Sequence, residues 1–263
     1  MNKTLLAYLF RKVLETGVEQ EPEMAELFSE DNLTFGAGIN FDIEYNGVLI
    51  NACIEDGATR IALIFTIHDD YAEFAPTYLY ELEKYVVKID KGEALGYTAR
   101  EAANYRMIEK AGFAEYFNEV FYGGTIWEYP FYISPYVNVD EDKVLDVAIP
   151  TFAQEFYADE EAVVDDKVMD EFDYLSTEEQ LTYFFLGAGY CEDDIYKLTD
   201  FMNTHEMNDT HTGNMTLING KPIIFDYAGY YGGANYRKHA IGDYGSSYSR
   251  NMAKTYYRFR KVA

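Results

Sequence analysis

The spacing of apolar and polar residues divides the chain into a mixed first half and a helical second half. Apolar side chains recur at helical spacing from Leu5 to Val13, which predicts helix over residues 1–30. Short apolar and β-branched runs then predict strands within residues 33–54 and at 61–67, 85–89, 120–122 and 131–136. The polar stretch 54–60, which contains Gly57, predicts a turn between two of these strands.

One predicted helix lies among these strands. Residues 98–111 have a helical pattern, and Gly112 is placed to end the helix. Thr98 is placed to cap the amino end, and Glu101 stands three residues later, which is the spacing of a capping box.

The second half is strongly acidic and ends in a basic segment. Residues 140–200 contain 19 Asp or Glu against three Lys and no Arg, so 19 acids less three lysines give a net charge of −16. Their apolar spacing predicts surface helices at 144–156, 176–186 and 192–205, after a boundary at 137–142. Residues 230–263 contain seven Lys or Arg and one acid. We expect a basic flap on the protein's own acidic face; the alternative is a peptide or nucleic-acid contact.

The pattern that indicates chemistry begins at Asp209. Asp209 and Asn214 are five residues apart in a glycine-containing stretch without a helical stripe, which predicts a loop. Two short apolar runs follow, and Asn219-Gly220 between them is a strong hairpin signal. The hairpin brings Asp226 back beside the loop. Asn214 and Asp226 therefore offer oxygen ligands to one Mg²⁺, and Asp209 is suited to orient a hydroxyl nucleophile.

This arrangement resembles the catalytic loop of protein kinases and aminoglycoside-type kinases. The family pattern is an Asp, four residues, an Asn, and a hairpin that ends in an Asp-aromatic-Gly-like triplet. Here Asp-Thr-His-Thr-Gly-Asn at 209–214 precedes Asp-Tyr-Ala-Gly at 226–229. The Asp-x-His-x-Gly-Asn form, with His211 and Gly213, is most similar to the aminoglycoside-kinase and bacteriophage-kinase branches.

The resemblance implies an α+β, two-lobed protein-kinase-like fold. An antiparallel-sheet N-lobe would occupy residues 1–137, with the N-terminal helix and an αC-like helix. A reduced, mainly helical C-lobe would occupy residues 138–263, with the acidic helices, the catalytic loop, the metal-binding hairpin and the basic tail.

The resemblance also implies roles for residues upstream of Asp209, the residue that would orient the acceptor. Lys88 would contact the α- and β-phosphates of ATP, and Glu101 would pair with Lys88; Glu109, on roughly the same face, is the alternative partner. Gly57 and Thr59 would lie in the loop that covers the phosphates. Asn214 and Asp226 would hold Mg²⁺, and residues 137–140 would form the hinge that meets adenine.

The sequence departs from the family pattern at several points. The covering loop has one glycine where the family often has three, and Met207-Asn208 stands where His-Arg is usual. An acidic insertion occupies 69–83, and no Ala-Pro-Glu motif follows Gly229. Early bacteriophage kinases show a similar short form. These departures leave the acceptor open between a protein Ser/Thr and a small molecule, and transfer of AMP remains an alternative reaction.

Each candidate residue also has a purely structural interpretation. Lys88 would then be an edge-strand charge, Glu101 a capping-box partner, Gly57 an ordinary hairpin glycine and Asp226 a turn cap. We expect His211 to be a structural, hydrogen-bonding histidine rather than a catalyst.

The composition limits the partners. A net charge of −25 disfavours direct contact with nucleic acid or acidic membranes. Cys53 and Cys191 form no CxxC pair, which predicts reduced thiols in a cytoplasm, the host's if the chain is phage-encoded. We also expect neither a signal peptide nor a membrane span.

The charge suggests a second function, that of a catalytically weak, kinase-like acidic protein that mimics DNA and binds or inhibits a basic host protein.

Overall fold

The computed structural model describes residues 1–29, 36–57, 59–92, 96–157, 164–207 and 209–228. The predicted basic flap at 230–263, Gly229, and the acidic residues 158–163 lie outside the described residues. The chain divides between Asn138 and Val139 into two compact units. Each unit is described by itself.

The first unit combines helices with an antiparallel sheet. Within the described residues the sheet has six strands in the order β1-β2-β3-β4-β6-β5. The helices are α1 (Lys3–Gln20), α2 (Pro22–Glu26) and α3 (Tyr97–Ala111), and the strands are β1 (Asn40–Tyr45), β2 (Val48–Asp56), β3 (Arg60–Ile67), β4 (Tyr85–Asp90), β5 (Phe121–Ile126) and β6 (Tyr129–Pro135).

The core of the first unit lies between one face of this sheet and α1. Alternate residues of β3 point to that face, and Ile61, Leu63 and Phe65 are fully buried there. The ring of Phe10 on α1 meets Phe65 edge-on at 5.3 Å between centroids. Gly17 allows close packing on α1, because a Cβ there would lie 2.6 Å from the sulfur of Met24. The predicted N-terminal helix is broken after Gln20, since a proline favours the first turn of a new helix.

The acidic insertion predicted at 69–83 is part of the first unit and packs against its core. It contains a 3₁₀ segment, Thr77–Lys84, that buries Leu79 and Leu82 in the same core. The carboxylate of Glu83 accepts a hydrogen bond of 2.9 Å from the amide of Ile67. The insertion thus caps the end of β3.

The second unit is mainly helical, with one small hairpin in its described part. Its helices are α4 (Glu141–Phe156), α5 (Asp166–Asp173), α6 (Thr177–Gly187) and α7 (Glu192–Thr204), and its strands are β7 (Met215–Ile218) and β8 (Lys221–Ile224). The side chain and the backbone N–H of Ser176 exchange hydrogen bonds with Glu179, a capping box that starts α6. Phe152 of α4 packs edge-on against Tyr183 of α6, with 5.1 Å between ring centroids.

The mixed α+β class predicted from the sequence is confirmed. The three predicted acidic helices are present as α4, α6 and α7, and α5 is an additional short helix. None of the described helices combines the length and the apolarity that crossing a membrane requires.

Candidate functional site

The first unit holds a buried ion pair between β4 and α3. The β-branched run around Lys88 favours a strand, and β4 lies inside the sheet, between β3 and β6. The Nζ of Lys88 is 3.3 Å from Oε1 and 3.2 Å from Oε2 of Glu101. Lys88 is 7% exposed and Glu101 is fully buried, so water screens this pair little.

The predicted contact between Lys88 and Glu101 is therefore present. Glu109, the alternative partner, is exposed on the same helix. The interpretation of Lys88 as an edge-strand charge is wrong, because β4 has a hydrogen-bonded neighbour on each side. The phosphate-binding role that the resemblance implies for Lys88 stays a prediction.

The amino end of α3 is capped by the side chain of Asp90 on β4 rather than by a residue of α3 itself. Gly96, not Thr98, is the N-cap residue, and its φ of 96° suits a residue without a side chain. The carboxylate of Asp90 accepts hydrogen bonds from the amides of Gly96 (2.8 Å) and Thr98 (3.0 Å) and from the hydroxyl of Thr98. A negative group at this position satisfies the unpaired N–H groups of the first turn and complements the helix dipole.

The predicted capping box of Thr98 and Glu101 is wrong for this reason. Thr98 is the second helical residue, and its hydroxyl binds Asp90. Glu101 lies one turn further along, and its carboxylate contacts the side chains of Arg60 and Lys88. The capping carboxylate comes instead from Asp90, a buried residue of β4.

Arg60 is a member of the cluster that the sequence analysis did not identify. Its Nη1 donates to Oε2 of Glu101, the oxygen that Lys88 also contacts. The guanidinium lies over the ring of Tyr97, 4.8 Å from the centroid. Arg60 is 5% exposed. The strand register brings it there, because Arg60 pairs with Asp90, which stands two residues after Lys88 on the same face; the sequence alone carries no signal for this pairing.

The turn that precedes β3 contains two of the predicted cofactor-binding residues. The amide of Gly57 donates to the carbonyl of Arg60 at 3.0 Å, and the carbonyl of Thr59 accepts from the amide of Lys91 at 3.0 Å. A Cβ at Gly57 would lie 3.2 Å from that Arg60 carbonyl, so the turn is tight. The predicted turn over residues 54–60 is too long, because residues 54–56 belong to β2 and Arg60 begins β3. Binding of phosphate by Gly57 and Thr59 stays a prediction.

The sheet face that carries Lys88 differs from the core face. Ala62 of β3 lies directly opposite Lys88, and Ile64 of β3 lies opposite Cys53 of β2 and Val86 of β4. Cys53, Ala62 and Ile64 are half-buried. This face therefore presents small and apolar side chains beside a buried lysine.

The second unit holds the loop predicted to carry Asp209. The amide nitrogen Nδ2 of Asn214 donates to the backbone carbonyl of Asp209 at 2.8 Å, which closes the loop and leaves the side-chain oxygen of Asn214 as an acceptor. The hydroxyl of Thr212 donates to Glu141, the first residue of α4. Asn214 is 8% exposed. The loop is thus held by its own backbone and by α4.

His211 shapes this loop. Its Nδ1 accepts a hydrogen bond of 3.1 Å from the amide of Gly213, and its Nε2 lies 3.8 Å from Oδ1 of Asp209. A neutral histidine that accepts at Nδ1 carries its proton on Nε2. The hydrogen bond expected of His211 within the loop is present, and the absence of a catalytic role stays a prediction.

The predicted hairpin follows directly. Asn219 and Gly220 have φ of 53° and 77°, the pair of positive values that a tight hairpin turn requires. The carbonyl of Asn214 accepts from the amide of Phe225 at 3.0 Å, so the chain returns beside Asn214 one residue before Asp226. Asp226 has a φ of 60°, which is uncommon outside glycine. Tyr227 and Ala228 after it are fully buried and fix the turn.

The donor set of this hairpin suits a hard cation. Asn214 and Asp226 provide an amide oxygen and a carboxylate, the ligand types that Mg²⁺ prefers beside phosphate oxygens. Among the described residues, no group of three or more His, Cys, Asp or Glu is arranged to hold a metal by itself. A cation here would need further ligands from a phosphate or from water.

Comparisons with protein-family models, with curated proteins and with solved structures gave no match to this chain. The likeness to kinases therefore depends on the residues described above.

Proposed function

We propose that this chain is a protein-kinase-like phosphotransferase that uses Mg²⁺-ATP. The observation that carries the proposal is the buried pair of Lys88 and Glu101 between a central strand and the helix that follows it. Burying a charged pair is costly, and replacement by apolar residues is often neutral or stabilising. A lysine held against a carboxylate in such a place is better explained by binding of an anion than by stability.

Two features of the first unit support a nucleotide as that anion. Lys88 would bind the α- and β-phosphates while Glu101 keeps the ammonium in place. Cys53, Ala62 and Ile64 present half-buried, small and apolar surface on the same sheet face. Such surface suits the flat face of a purine, as ligand sites combine apolar walls with few polar anchors.

In the second unit, Asn214 and Asp226 would hold Mg²⁺, which when bound would offset phosphate charge. Asp209 would orient an acceptor hydroxyl and take its proton. The acceptor oxygen forms a bond to the γ-phosphorus as the bond from that phosphorus to the β,γ-bridging oxygen breaks, and ADP leaves. A protein Ser/Thr is the proposed acceptor class, in a cytoplasm that contains ATP.

The experiment is transfer from γ-labelled ATP to proteins of a host extract, for the unaltered chain and for Asp209→Ala. The variant keeps the backbone carbonyl that holds Asn214, so it should still bind Mg²⁺-ATP. It should lose transfer by roughly 100-fold or more, as for a group that acts in general-base catalysis. Asp200→Ala, an exposed acid on α7, is the matched control and should transfer normally.

The position of the label on ATP distinguishes transfer of a phosphoryl group from transfer of AMP. Transfer of label from γ-ATP supports phosphoryl transfer, whereas transfer from α-ATP alone would indicate AMP transfer. Absence of both from the unaltered chain, with any extract or small-molecule acceptor, would reject the enzyme proposal.

One observation favours the second candidate function, an acidic protein that binds a basic host protein. The net charge is −25, and α7 begins with three successive acids, Glu192, Asp193 and Asp194, all exposed. A partner held by such charges should be recovered from extract at low salt and lost at high salt, because exposed charges are screened within about 10 Å at 0.1 M. If the same partner protein is recovered at low and at high salt, this candidate function is contradicted.

A further inference from the structure

We infer that Arg60 is a second phosphate-binding residue of the nucleotide site, acting beside Lys88. This inference rests on the proposed function and names a residue that neither the kinase resemblance nor the sequence pattern assigns. Three observations of the first unit carry it: a shared carboxylate oxygen, a common sheet face and a position fixed by contacts with Gly57 and Tyr97.

The shared oxygen places two cations side by side. Nη1 of Arg60 and Nζ of Lys88 both contact Oε2 of Glu101. Both cations are over nine-tenths buried, at 5% and 7% exposure. An anion that approaches Lys88 would therefore meet two cations that share one carboxylate, so these three side chains keep an excess of positive charge that little water screens.

The strand register puts both side chains on the same face. Arg60 lies opposite Asp90 and Ala62 lies opposite Lys88, and residues directly opposite in an antiparallel pair point to the same side. This is the face with the half-buried Ala62, where the base would lie. Arg60 is thus two residues before Ala62 on the same face, at the first position of β3.

The position of Arg60 is fixed by its neighbours. Its carbonyl accepts from the amide of Gly57, and its guanidinium lies over the ring of Tyr97. A guanidinium carries five N–H donors in a rigid fork and can bind a carboxylate and a phosphate at once. Fixing it beforehand lowers the entropy lost on binding. Because Arg60 and Lys88 are two adjacent cations, they can contact two phosphates at once, which favours a polyphosphate over a single phosphate.

The test compares the affinities of Mg²⁺-ATP, Mg²⁺-ADP and AMP by calorimetry for the unaltered chain, Arg60→Met and Arg106→Met. Arg60→Met removes the charge and the donors but keeps apolar contact with Tyr97. Arg106 is exposed on α3, so its substitution changes the net charge equally and is the matched control. We expect Arg60→Met to weaken ATP by about 10- to 100-fold, the effect of one charge-assisted hydrogen bond, and AMP by less than about 3-fold.

Other results would overturn the inference. Equal loss of ATP and AMP in Arg60→Met would make Arg60 a residue that only positions Glu101, and unchanged ATP affinity would remove it from the site. If Arg60→Met does not fold, Arg60→Lys keeps the charge next to Glu101 and loses the fork. It should weaken ATP and leave AMP unchanged, and unaltered ATP affinity there would equally reject the inference. Failure of the unaltered chain to bind Mg²⁺-ATP would instead reject the proposed function.

Discussion

Replacing Glu101 by Gln tests whether one carboxylate balances two buried cations. The substitution keeps the shape of the side chain and removes its charge, so Lys88 and Arg60 lose the carboxylate that both contact. Removing one partner of a buried ion pair typically costs about 3–5 kcal/mol. Because Lys88 and Arg60 keep slight exposure, we expect the lower end, about 3 kcal/mol of unfolding free energy. In a unit of this size that lowers Tm by roughly 10 °C.

The assay must report on the first unit alone, because two compact units can unfold separately. Hydrogen exchange of peptides from β3, β4 and α3 in urea does this. Glu109→Gln is the control, since Glu109 is exposed on the same helix and its loss should cost under about 0.5 kcal/mol. Equal protection of these peptides in both variants would refute the idea that Glu101 balances the two cations. A double variant with Lys88→Met should cost less than the sum of the single changes, because Lys88 would no longer be buried without Glu101.

Two further predictions concern the metal and pH. Mg²⁺-ATP should raise the Tm of the unaltered chain by mass action, and Asp226→Ala should remove most of that increase; an unchanged increase would exclude Asp226 from the site. Burial, helped by Glu119 and Glu109, raises the pKa of Tyr105 to about 12. The folded state then holds this proton more tightly than the unfolded state, so stability should fall as pH rises from about 10 to 12. Tyr105→Phe should flatten that fall in alkaline urea titrations, and identical profiles would contradict it.

The sequence was most informative where local chemistry determines the backbone. Asn219-Gly220 specifies its hairpin, and the apolar run around Lys88 specifies a strand, because each signal lies within a few residues. The contrasting case is the turn between β5 and β6, formed by Trp127 and Glu128 with φ of 47° and 73°. Neither residue favours positive φ, so both flanking strands were predicted too short. Trp127 and Glu128 are both exposed, and the pairing of Ile126 with Tyr129 on either side of them closes the turn.

The candidate site shows the same division. Lys88 and Glu101 could be predicted because the resemblance orders them along the chain. Arg60 and the cap by Asp90 could not, since both depend on which residues face each other across β3 and β4. Strand register depends on which distant residues pair and on which face of the sheet is buried. Neither can be read directly from a single sequence.

The cap by Asp90 has a consequence for control of the protein. Asp90 and Lys88 stand two residues apart on β4, and they hold the first and second turns of α3 through Thr98 and Glu101. To withdraw Glu101 from Lys88 by moving the helix, the chain must also break the bonds that Asp90 makes. The contacts of Asp90 and Lys88 therefore tie α3 to β4 at two successive turns of the helix. For the proposed phosphotransferase we therefore expect no control by movement of α3 away from β4, because such a movement would break both sets of contacts.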